Sequence, residues 1–109
     1  MFSNKNSKQK SEALKKILDR EGIISMPGCF DALSAKLIER EGIEVGFMSG
    51  FSVSSTKLGM PDTGLISFAE MLEQVKNISN ATSIPFIFDG DTGYGNSVNV
   101  YRTVRDYAN

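Results

Sequence analysis

The sequence predicts an α/β fold with parallel strands: a leading helix followed by about three strand–helix units. Three observations carry this reading. Short apolar runs rich in strand formers alternate with stretches whose apolar residues recur at helical spacing, and such alternation implies parallel pairing through right-handed crossovers. Glycines and capping residues punctuate each change of period. The third apolar run, Ile84-Pro85-Phe86-Ile87-Phe88, leads directly into Asp89-Gly90-Asp91-Thr92-Gly93-Tyr94-Gly95-Asn96. That places acids and glycines at the carboxyl end of a strand, where parallel α/β folds concentrate their chemistry.

Taken in order, residues 1–10 read as a flexible polar start, with Lys5, Lys8 and Lys10 and no apolar core of the kind a secretory signal needs. Ser11 to Asp19 reads as a short helix, since Leu14, Ile17 and Leu18 share one side. Ile23-Ile24-Ser25-Met26-Pro27 is expected to be the first strand, and Pro27-Gly28 a turn. Asp31 is the expected cap of a helix over 30–38 that places Leu33, Leu37 and Ile38 on one face and stops at Gly42. Ile43 to Met48 is the second strand, and Ser49 to Thr56 a Ser-rich loop; its hydroxyls and amides beside glycine suit a carboxylate or phosphate as well as they suit solvent. Lys57 to Gly64 reads as irregular, with Asp62 either an acid of the site or a turn residue. Ser67 and Glu70 form a capping box for a helix that turns Met71, Leu72, Val75 and Ile78 inward. Ser97 is the expected cap of a last helix with Val100, Val104 and Tyr107 on one side.

Composition narrows the function classes. The chain has 109 residues, enough for one small domain, and its 40% hydrophobic and 23% charged content is ordinary for a globular protein. A net charge of −1 points away from nucleic acid and from anionic membranes as partners, and no apolar run nears the roughly 18 residues of a membrane span. One cysteine rules out an internal disulfide and fits a cytoplasmic location; Cys29 reads as a small buried residue, since no histidine is present to act as its base. The absence of histidine also removes His-based triads and most zinc sites from this chain.

The acid loop admits two readings. Alternation along an extended strand would put Ile87, Asp89 and Asp91 on one face and Phe86 and Phe88 on the other. Two carboxylates so placed stay ionised most easily around a divalent cation, and oxygen-only ligands favour Mg2+, with Mn2+ possible. The plainer alternative is a turn in which Asp side chains cap backbone amides. An EF-hand loop fails, because Tyr94 and Val100 stand where glycine and glutamate are needed, and a phosphate loop fails for want of a following Lys.

Four segments in order then carry a resemblance: Pro27 to Ala35, Met48-Ser49-Gly50, Leu58 to Asp62, and Asp89 to Asn96. Together they resemble the isocitrate lyase/phosphoenolpyruvate mutase superfamily, in particular its 2-methylisocitrate lyase, carboxyvinyl-carboxyphosphonate phosphorylmutase and oxaloacetate decarboxylase branches, over residues 11–109. The resemblance implies that 11–109 is the amino-terminal part of a (β/α)8 TIM barrel with magnesium at its carboxyl end. It implies Asp89 and Asp91 as metal carboxylates, Asp62 as a catalytic acid, and Ser49, Gly50 and Phe51 as substrate-carboxylate contacts. Phe47 takes a place where the family usually has Tyr or Trp, and Phe51 is larger than the glycine of the methylisocitrate branch.

The implied activity is a magnesium-dependent lyase or decarboxylase acting on a 2-oxo acid or a 2-hydroxy di- or tricarboxylate through a pyruvate-enolate-type intermediate. The alternatives are a mutase or hydrolase of phosphoenolpyruvate/phosphonopyruvate type, and a non-catalytic fragment or interaction module. Because such barrels take about 200 residues or more, the chain is expected to act alone as an inactive piece or to assemble as a homo-oligomer.

Overall fold

The computed structural model describes residues 7–109. Eight elements follow in order: α1 (Ser7–Leu18), β1 (Gly28–Cys29), α2 (Ala32–Arg40), β2 (Gly46–Met48), α3 (Gly50–Leu58), α4 (Phe68–Ala81), β3 (Phe86–Phe88) and α5 (Ser97–Ala108). The strands form one parallel sheet in the order β1-β2-β3, with Gly28 beside Phe47, and Gly46, Phe47 and Met48 beside Phe86, Ile87 and Phe88. Parallel strands joined by helices are what the alternating sequence pattern called for.

Alternation sends Cys29, Met48 and Phe86 to the face covered by α2 and α4, where they meet Ala35, Ile38, Met71, Val75 and Ile78. Gly46 permits this packing. A Cβ there would stand 2.2 Å from Cε1 of the Phe86 ring on the neighbouring strand.

Several local expectations are corrected. Helix α1 begins at Ser7, so residues 7–10 are helical rather than a loose start; residues 1–6 of that expected flexible segment lie outside the described residues. Lys10 is only 8% exposed and donates to the carbonyl and hydroxyl of Ser79, near the negative end of α4, which ties α1 down one turn earlier than its apolar residues indicate. The run from Ile23 to Pro27 is not a strand. Ile23 is fully exposed, and pairing starts only where the Pro27 carbonyl accepts from Phe47 N–H at 3.0 Å. Pro27-Gly28 is accordingly extended and not a turn.

The second strand is shorter than expected, and residues 50–58 form a helix where a loop over 49–56 and an irregular segment from Lys57 were expected. Ser49 caps α3 by accepting from Ser52 N–H, and Gly59, left-handed at φ 63°, closes it. Asn96, not Ser97, caps α5, accepting from the N–H groups of Val98 and Asn99. The Asp31 cap and the Ser67–Glu70 capping box are as expected, and Ser34 turns the Asp31 cap into a second capping box. Among the described residues no helix is long and apolar enough to cross a membrane.

Candidate functional site

The carboxyl ends of β2 and β3 meet the start of α3, and this junction builds the site. Asp89 continues the ladder by one bond, its N–H reaching the Met48 carbonyl at 3.1 Å. Its carboxylate is then held from two sides: Oδ2 accepts from Gly50 N–H at 3.0 Å, and Oδ1 from Asp91 N–H at 2.8 Å. Gly50 is the first residue of α3, so the acid faces the positive end of a helix dipole. Gly50 is also the residue that fits, because a Cβ there would lie 2.7 Å from Oδ2.

Beyond Asp89 the backbone leaves the extended conformation. Asp91, Gly93, Tyr94 and Gly95 have φ of 48°, 91°, 63° and 146°. Asp91 is exposed, on a turn. The expectation that Asp89 and Asp91 project in line from one strand face is therefore corrected: strand periodicity ends at Phe88, and the second acid is placed by left-handed turns and by its amide bond to the first. Left-handed backbone in an aromatic residue is costly, on the order of 1–3 kcal/mol. Tyr94 is retained in it by packing, with its ring 5.8 Å from Phe68.

The two acids nonetheless border one small cavity of about 20 Å³, together with Asp62, Gly50, Gly64, Ile66, Met71 and Tyr94. Asp62 comes from the exposed segment between α3 and α4. The ion pairs Arg20–Glu44, Lys57–Glu73 and Asp106 with Arg102 and Arg105 involve none of the cavity-lining residues. Burial first raises the Tyr94 phenol pKa, the hydrogen bond with Tyr107 works against this, and the charges of Asp91, Asp89 and Asp62 raise it further.

Does this arrangement fit a magnesium ion? The donors are hard oxygens, and the space is that of about one water molecule. Among the described residues, no three His, Cys, Asp or Glu side chains cluster closely enough to form a ligand cage. Mg2+ rarely has such a cage: it is usually held by one or two carboxylates and keeps waters or substrate oxygens in its other positions. Each Asp89 oxygen spends one lone pair on an amide and retains another. The residues fit.

The other expected site residues are placed as follows. The Ser49 hydroxyl is occupied as a helix cap, and the Gly50 amide holds Asp89. Phe51, 61% exposed in the first turn of α3, and Phe47, half-buried on β2, do not line the cavity. Cys29 is fully buried; burial, then the charge of Asp31, push its thiol up to about 11, as suits a packing residue rather than a nucleophile. The sequence reading missed Tyr94, Thr103 and Tyr107 as builders of the loop. The signal for Tyr94 was a bulky residue between two glycines, and for the other pair a one-turn spacing of hydroxyls on a helix.

The sequence model of the phosphoenolpyruvate phosphomutase family matches residues 14–109. The chain is 44% identical over 92 residues to the chloroplastic carboxyvinyl-carboxyphosphonate phosphorylmutase of Arabidopsis thaliana, covering 84% of this chain and 27% of that protein. It is 42% identical over 94 residues to the 2,3-dimethylmalate lyase of Eubacterium barkeri, covering 86% and 32%. A solved phosphonopyruvate hydrolase in complex with oxalate and Mg++ superposes with a TM-score of 0.83 at 37% identity, over 90% of this chain and 34% of that one. The chain thus spans about a third of the length of the relatives it matches. These relatives have the (β/α) barrel fold, so the three parallel strand–helix units correspond to part of such a barrel.

Proposed function

The chain belongs to the phosphoenolpyruvate phosphomutase family, within the isocitrate lyase/phosphoenolpyruvate mutase superfamily of enzymes, and from that premise we propose that it carries the metal-binding part of a magnesium-dependent carbon–carbon lyase or decarboxylase. The substrate is a 2-oxo acid or a 2-hydroxy di- or tricarboxylate. The observation that carries the reading is that Asp89, Asp91 and Asp62 line one cavity, and among the described residues none of the ion pairs involves its lining.

Asp89 and Asp91 are the proposed magnesium carboxylates, directly or through water, and Mn2+ is the proposed substitute. When bound, the ion supplies positive charge against the enolate-type anion left as a bond beside the substrate carbonyl breaks. The chain's own groups do the orienting. Gly50 N–H and Asp91 N–H fix both oxygens of Asp89 before any ligand arrives, so the acid needs no reorganisation. Ser49, Gly50 and Phe51 are proposed to contact the substrate carboxylate, and Phe47 on β2 to border the ligand, on the family resemblance; the Ser49 hydroxyl and the Gly50 amide would have to share their present partners, Ser52 N–H and Asp89, with it. Asp62, exposed beside the cavity, is the proposed catalytic acid. Function in the cytoplasm as a homo-oligomer, without nucleic-acid or membrane partners, completes the proposal.

A second reading, carbon–phosphorus chemistry of the mutase or hydrolase kind, is favoured by Asp62 lining the same cavity and by the nature of two of the relatives. Turnover of phosphonopyruvate that is abolished by Asp62→Asn would establish it over the lyase. The primary test is magnesium-dependent binding of oxalate, an enolate mimic, by the wild type and by Asp89→Ala. We expect binding only by the wild type and only with the metal. Equal binding by both, or by neither, refutes an ion site in this chain and leaves the reading of a non-catalytic piece.

A further inference from the structure

The acid loop is fastened to α5 by two hydroxyls one helical turn apart. Thr103 Oγ1, buried, donates to the Gly93 carbonyl at 2.8 Å, and Tyr107 Oη donates to the Asp89 carbonyl at 3.2 Å. Residues four apart on a helix share a face, so a single face of α5 holds both ends of the segment 89–93. The approach is close: a Cβ on Gly93 would stand 2.4 Å from Cγ2 of Val100, and one on Gly90 would stand 3.8 Å from the Tyr107 ring. The Tyr107 ring also stacks on Phe68, with centroids 6.3 Å apart and planes at 12°. The left-handed residues Asp91, Gly93, Tyr94 and Gly95 thus lie between or beside two fixed points.

We propose that Thr103 and Tyr107 are positioning residues for Asp89 and Asp91, a two-hydroxyl clamp from α5 that sets the orientation of the carboxylates before an ion binds. The inference rests on the reading of this loop as the magnesium site. It adds a role for residues that touch neither ion nor substrate. Without the clamp, the turn can relax out of its left-handed conformations, and the amides of Asp91 and Gly50 lose their fixed acceptor on Asp89.

The test uses the full chain with Tyr107→Phe, which removes one hydroxyl and keeps the ring, and Thr103→Val and Thr103→Ser, which remove and keep the other. Amide hydrogen exchange at Asp91 and Gly50 reports the Asp89 carboxylate directly, and oxalate binding is titrated with Mg2+ on the same samples. We expect about ten-fold faster exchange at those two amides in Tyr107→Phe and Thr103→Val, wild-type rates in Thr103→Ser, and unchanged rates at Ala35 in α2. Unchanged rates at Asp91 and Gly50, or an equal rise at Ala35, would overturn the clamp. Should the wild type bind no Mg2+, the ion-site reading fails while the exchange rates still decide whether the clamp orients Asp89. With binding present, magnesium affinity should fall about ten-fold in the same two variants only.

Discussion

Substitution of Gly50 by alanine should separate the site from the fold. Gly50 has no left-handed backbone, so the constraint is space alone: the new Cβ would lie 2.7 Å from Asp89 Oδ2 and 3.3 Å from Cγ. The carboxylate must rotate away, because the other neighbour is the start of α3. Rotation strains or breaks two contacts, the 3.0 Å bond from Gly50 N–H and the 2.8 Å bond from Asp91 N–H. Overpacking costs about 1–3 kcal/mol, and a hydrogen bond to a charged group is worth about 1.5–3 kcal/mol. The two are alternatives more than addends, since the movement that relieves the clash is the one that loses the bond. Alanine in place of glycine returns up to about 1 kcal/mol of helix propensity. The net is about 1–2 kcal/mol, or roughly ten-fold in an equilibrium. Urea unfolding followed by circular dichroism should show a modest loss of stability, and Mg2+ titration with oxalate should show about ten-fold weaker binding. A variant that binds the ion as tightly as wild type would refute the reasoning, since Asp89 would then serve the ion without its helix-end partner.

Two further outcomes follow from the packing. Gly46→Ala should destabilise the sheet far more than Gly50→Ala, because Cβ would stand 2.2–2.9 Å from three Phe86 ring atoms in the core; chemical denaturation would show a loss above about 3 kcal/mol or no folded state, and a near-neutral result would refute the strand register. Cys29 is the pH probe: burial raises its thiol to about 11, so the folded state holds the proton longer than the unfolded chain does. Its contribution is complete below the ordinary thiol value of roughly 8.5 and is lost as pH rises towards 11, by about 2–3 kcal/mol. The stability gap between wild type and Cys29→Ala should therefore narrow from pH 8 to 11, and a constant gap would show that the thiol ionises normally.

The prediction for Gly50 shows where sequence reading reaches its limit. Its place in a candidate binding segment was readable from Met48-Ser49-Gly50, yet its contact with Asp89 joins residues 39 apart in the chain. The same limit explains why α3 reads as a loop in the sequence. Ser49 and Gly59 are good end signals for α3, but Ser52, Ser54, Ser55 and Thr56 between them compete for backbone bonds and have weak helix propensity. Packing of Val53 and Ser54 against the core settled it. The error at Ile23–Pro27 has the opposite sign: β-branched residues promised a strand, but only Gly28 and Cys29 found a partner in β2.

By itself the sequence determined the α/β class, the parallel pairing, the caps at Asp31 and Ser67, and the family, because these rest on periodicity, short-range hydrogen bonds and ordered motifs. Tertiary structure alone decided that strand alternation stops at Phe88, that left-handed turns and the α3 amide orient the acids, and that Thr103 and Tyr107 hold the loop from behind. The physical reason is that a carboxylate's direction depends on which distant donor reaches it, and the backbone between the acids adopts costly conformations only because packing from another element compensates them.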